Sequence, residues 1–134
     1  MLNRREMLSH SARVAALLAT AGLLARPAHA AYNAAAFEIK TMPAESKDVT
    51  ITGPDIAENG AVVPVGVSTT LPGVKKLLVL VEKNPSVLSA MFDVSDAVDA
   101  NFATRVKMGQ SSNVYAVALM ADGKVLFAQK EVKV

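Results

Sequence analysis

Asp93, Asp96 and Asp99 recur at every third position in DVSDAVD, a residue type and spacing from which oxygen-ligand calcium loops are made. The segment lacks the glycine and terminal glutamate of an EF-hand, and a solvated acidic loop accounts for it as well, so no metal is assigned. Arg105 and Lys107 in RVKM stand two apart, which on an extended strand puts both cations on one face. Such a face could serve recognition, and a solvated outer face explains it equally. Asp55, Glu58 and Asn59 in PDIAENG, with Lys83 and Asn84 in VEKNP, add polar groups in turn-rich segments, where recognition residues concentrate on β scaffolds. These seven residues are the candidates for contacting a partner. No catalytic set is assigned, because nothing pairs two carboxylates for acid–base work. The chain has no cysteine, and its only histidines are His10 and His29.

Both histidines fall in residues 1–30, which have the three parts of an export signal. Arg4 and Arg5 form a basic start, residues 14–25 are small and apolar, and Ala28-His29-Ala30 fits a small-x-small cleavage site after Ala30. The apolar run is too short to span a bilayer, which needs roughly 20 such residues. No face of that run is polar, which argues against an amphipathic helix of the folded domain. Met7 and Leu8 behind Arg4-Arg5 match a twin-arginine leader, a route for folded cargo that suits export together with a partner. The expected location is the periplasm.

Removal of the leader takes away four of the 14 basic residues and one of the 12 acidic ones, leaving ten against eleven and a net charge of −1. The sequence pI near 9.0 therefore reports the leader. Nucleic-acid binding loses its electrostatic support. With neither His nor Cys left, Ser-His and Cys-His nucleophile pairs, N/S zinc sites, haem attachment and disulfides drop out, and no cofactor is expected.

The elements that must position the candidates read as β. Residues 31–47 are an Ala-rich leading segment that could hold a short helix ending before Pro43. From 48 onward, alternating and fully apolar runs are punctuated by turn signals. Val63, Val65 and Val67 share one strand face, and Pro64 points to an edge strand or bulge. Asn59-Gly60 offers positive φ before that strand. Leu71-Pro72-Gly73 and 83–86 turn, and 77–81 has the character of a central strand. Phe102, Thr104, Val106 and Met108 alternate with exposed positions, and Asp122-Gly123 reads as a two-residue hairpin turn. About seven short strands over 48–134 predict an all-β, immunoglobulin-like sandwich.

PDIAENGAVVPV, LPGV at 71–74, VEKNP at 81–85, RVKM at 105–108, SSNVYAV at 111–117, ADGKV at 121–125 and KEVKV at 130–134 together resemble the SoxY family over 48–134. These are sulfur-carrier subunits of the periplasmic thiosulfate-oxidising Sox system. The resemblance implies a sandwich that pairs with a second β-sandwich subunit, SoxZ, and visits the cytochrome and hydrolase enzymes of the system without catalysing a reaction itself. It also implies a carrier cysteine on a C-terminal Gly-Gly-Cys-Gly-Gly arm, a position that would follow Val134. None of the 134 residues can take that role. The alternatives are a non-carrying SoxY-like binding module, or a structural Ig-like domain that self-associates through open strand edges.

Overall fold

The computed structural model describes residues 4–20 and 43–134. Cleavage after Ala30 and the possible helix in 31–42 lie outside the described residues. Helix α1 (Arg4–Thr20) is followed by β1 (Ala44–Glu45), β2 (Val49–Thr52), β3 (Val63–Thr69), β4 (Val74–Val81), β5 (Leu88–Asp93), β6 (Asn101–Val106), β7 (Ser112–Met120) and β8 (Val125–Val132). One sheet has the order β1-β8-β7-β4-β5 and the other β2-β3-β6. Strand pairing is antiparallel except for the short parallel contact of Ala44–Glu45 with Leu126–Phe127, and an isolated parallel bridge joins Ile56 to Lys133. The all-β sandwich expected from the alternating pattern is therefore what forms, with β1 as an added edge.

Period-two alternation sorts the side chains. Val63, Val65 and Val67 of β3 are buried and face Leu77, Val79 and Val81 of β4 and Val114, Ala116 and Ala118 of β7 in the core between the sheets. Phe92 of β5 stacks on Phe102 of β6 at 4.5 Å where the two sheets approach. Each fully buried aliphatic here is worth about 1.5–3 kcal/mol relative to exposure.

β4 and β7 are apolar on both faces. Leu78 and Leu80 on β4, Tyr115, Val117 and Leu119 on β7, and Phe127 on β8 point away from the sandwich core and form a second cluster. α1 closes this cluster with Val14, Leu17 and Leu18, an i, i+3, i+4 set on one helix face. The sequence argued against such a domain helix because 14–25 has no polar face. The helix starts earlier, at Arg4, and Arg4, Arg5, Glu6, Ser9 and Arg13 lie on its exposed side. Among the described residues no helix is long and apolar enough to cross a membrane.

Three local expectations are corrected. β3 is the central strand of its sheet, but the β2 ladder ends at Thr52 opposite Gly66, so Pro64 has no ladder partner in β2 and its missing amide donor breaks no β2–β3 bond. The β7–β8 turn is longer than two residues. Gly123 N–H donates to Met120 O at 3.1 Å, Met120 N–H to Lys124 O at 2.9 Å, and Gly123 has φ 92°. This is a tight turn over Ala121-Asp122 followed by a left-handed glycine bulge. Among the described residues positive φ occurs at Gly73 and Gly123, not at Gly60. Gly73, at φ 80° behind Pro72, gives the expected turn.

Candidate functional site

β2, β4, β6 and β8 all end at one pole of the sandwich, so the loops at 53–62, 82–87 and 107–111 meet the last residues of the chain. This places Asp55, Glu58, Asn59, Lys83, Asn84, Arg105 and Lys107 at the same end, although they span a long stretch of the sequence. The contacts there are mostly backbone and amide. Asn84 Nδ2 donates to Lys107 O at 2.6 Å, and Gly109 N–H donates to Asn84 Oδ1 at 3.4 Å, which ties the β4–β5 loop to the β6–β7 loop. Lys83 N–H donates to Ser112 Oγ at 3.1 Å. Met108 N–H donates to Gly60 O at 2.7 Å, joining the third loop. Asn59 turns inward on its own loop, its Oδ1 accepting from Ala61 N–H at 3.0 Å.

The chain end is held by the same loops. Lys133 N–H donates to Asp55 O at 3.0 Å, and Lys133 O accepts from Ala57 N–H at 2.7 Å. Val134 N–H donates to Ser111 Oγ at 2.9 Å, while Val132 is buried. Lys130 Nζ meets Asp55 Oδ1 at 2.7 Å. That hydrogen bond, helped by the ammonium charge, holds the exposed Asp55 carboxyl below its ordinary value. Sequence reading missed Lys130 and Ser111 as partners of the pole. The available signal was the polar residues of KEVKV and SSNVYAV that flank their apolar strand runs.

The seven candidates share the pole but not a single cavity. Asn84, Arg105 and Lys107 line a hollow of about 580 Å³ with Pro85 and Leu88. Glu58 and Asn59 line another of about 320 Å³ with Ile56 and Val62. Lys83 borders a smaller one with Ser111 and Glu131. No carboxylate pairs with Arg105 or Lys107 among the described residues, and Ile56 (69%) and Val134 (49%) stand exposed at the same pole. Unpaired cations together with exposed apolar groups make a surface for recognition. Asp96 and Asp99 lie at the other pole, and Asp93 is engaged by Lys76 at 2.6 Å. No group of three metal-ligating side chains converges among the described residues.

The family model "Sulfur oxidation protein SoxY" matches residues 33–134. The solved sulfur carrier protein SoxY from Chlorobium limicola f thiosulfatophilum is 36% identical, with TM-score 0.61 over 68% of this chain and 82% of that one. The chain belongs to the SoxY family. Five of the seven motifs that resemble the family meet at this pole, while LPGV and ADGKV meet at the other, where Ala121 N–H donates to Gly73 O at 2.7 Å. PDIAENG, VEKNP, RVKM and SSNVYAV supply the three loops of the pole, and KEVKV supplies the strand that ends there. Two variants of a superoxide reductase (neelaredoxin) from Ignicoccus hospitalis share the fold at 17% identity. One has TM-score 0.56 over 78% of this chain and 86% of its own, and the other has 0.57 over 84% and 94%. That likeness is one of fold. No curated protein matches this sequence.

Proposed function

We propose that this chain is the periplasmic carrier subunit of a Sox thiosulfate-oxidation system, pairing with a SoxZ-type sandwich and anchoring the carrier arm at the pole where β8 ends. The observation that supports it is the fixing of the last strand: the Lys133 backbone, Val132 and Val134 are all held, while the Val134 side chain reaches solvent. An arm joined to Val134 starts from a rigid root and is free at once. In the SoxY pattern the carrier is a cysteine flanked by glycines. An exposed thiolate is the nucleophile suited to sulfur transfer, and glycines leave the arm thin and pliable. Each extended residue adds roughly 3.3–3.6 Å of reach into a partner's channel. The sandwich supplies position and recognition, while bond-making belongs to the arm and to the enzymes that act on it.

The protein as purified from cells oxidising thiosulfate, titrated with a thiol reagent and weighed intact, tests this reading. One reactive thiol, with adducts of added sulfur, is expected. A protein without a thiol overturns the carrier role and leaves a SoxY-like binding module.

A further inference from the structure

The outer face of the five-stranded sheet is apolar across its strands. Leu80, Tyr115, Val117, Leu119 and Phe127 are fully buried there, and among the described residues α1 is what covers them. Met91, opposite Leu78 in the β4–β5 register, continues the same face beyond the buried set and is 41% exposed. A sheet that needed only a solvated outer side would alternate apolar with polar residues on β4 and β7, and neither does so.

α1 fits this face incompletely. Gln129 Oε1 is buried without a hydrogen-bond partner, and the buried Tyr115 Oη has Arg13 and Asn113 close by but neither in good hydrogen-bond geometry. Buried polar atoms left unsatisfied disfavour the arrangement that holds them. At the rim the helix meets two carboxylates loosely, Arg13 Nε to Glu82 at 3.5 Å and His10 Nδ1 to Glu45 at 3.6 Å. His10 Nδ1 also lies 3.1 Å from Gln129 Nε2. The surface thus asks for an apolar occupant bordered by cations that also brings a polar group to Tyr115.

We propose that this face is the docking surface of the companion subunit and that α1 and the companion compete for it. Docking would then displace the leader and make it available for export only in an assembled pair. This rests on the leader and pairing readings proposed above. The occupant is a different protein with an apolar, base-rimmed surface. A second copy of this chain would bring its own Glu45 and Glu82 to the seam, setting like charges together.

The test compares the full chain with its V14D/L18D variant, using the SoxZ subunit of the same organism as probe. The two substitutions lie in α1, so the sandwich core is untouched. Freeing the face should tighten SoxZ binding about tenfold, because a site covered most of the time binds in proportion to its open fraction. Adding SoxZ to the wild-type chain should speed hydrogen exchange in α1 while slowing it in β4 and β7. Met91→Arg, an exposed change on the same face, should weaken SoxZ binding to both forms. Equal affinity for both forms with α1 still protected in the complex overturns the inference and leaves pairing intact. Self-association of V14D/L18D in preference to SoxZ assigns the face to a second copy and also overturns it. Absence of SoxZ binding to every form removes the pairing itself.

Discussion

At the scale of single residues, the pole carries one ion pair, Lys130 with Asp55, whose pH response has a definite sign. Lys130 holds the Asp55 carboxyl below its ordinary value of 3.8, so the folded state favours the ionised form. That contribution is complete above the unfolded value and is lost as pH falls through the lowered folded value. Wild type should therefore have a higher urea midpoint than Asp55→Asn at neutral pH, and the gap should close in acid. Because both groups face solvent, added salt should narrow the gap as well. The unpaired cations respond differently. Lys107→Glu places an anion beside the hollow that also holds Arg105. If partner enzymes of the proposed arm are recognised at this pole, the substitution should weaken their encounter by about tenfold at low salt, through a slower on-rate. If the companion docks on the sheet face as proposed, SoxZ affinity should stay unchanged, and parallel surface-binding measurements against both partners separate the two effects. Lys83→Glu should act in the same direction.

At the scale of elements, the chain end and two of the three loops meet in a close approach at Gly60. A Cβ there would lie 2.6 Å from Met108 O and 2.8 Å from Val134 Cγ1. The valine can turn aside. The carbonyl is less free, because Met108 is buried and its N–H is bonded to Gly60 O. Gly60→Ala should cost about 1–3 kcal/mol, read as a lower urea midpoint with an unchanged slope. The sequence showed that this glycine mattered but pointed to positive φ, since Asn-Gly is ordinarily a turn signal. A close contact between residues so far apart in the chain leaves no local mark. The strands themselves were legible, because Val63, Val65, Val67 and their counterparts alternate as a two-sided sheet requires. The meeting of PDIAENG, VEKNP and RVKM at one pole was not, since it depends on which strands share a direction. Helix α1 shows the converse limit. Residues 14–25 read correctly as apolar, but periodicity within a helix cannot reveal that a sheet elsewhere keeps an apolar outer face to receive it.

At the scale of the whole molecule, the two apolar clusters differ in how much of the fold depends on them. The inner core is closed by strands of both sheets and includes no residue of α1, whereas the outer cluster is closed by three helix side chains. An isolated helix of this length is marginal in water, so α1 stays ordered mainly through that contact. Opening of α1 should consequently be a local event well below global unfolding, and its amides should exchange about a hundredfold faster or more than those of β4 and β7. Tyr115 reports the same event optically. Burial pushes its hydroxyl above the ordinary value of 10.0; Glu82 adds to the rise, and Arg13 and Asn113 partly oppose it. The folded state thus favours the neutral phenol, and the covered arrangement keeps its full stability below the unfolded value and loses it as pH rises through the raised one. Ultraviolet titration of the full chain should show a late-ionising tyrosine that Tyr115→Phe removes. In V14D/L18D that component should move back toward the ordinary value, because water reaches the phenol once the helix leaves. A late component that persists in V14D/L18D would mean that the strands alone desolvate Tyr115, and that α1 is not what covers it.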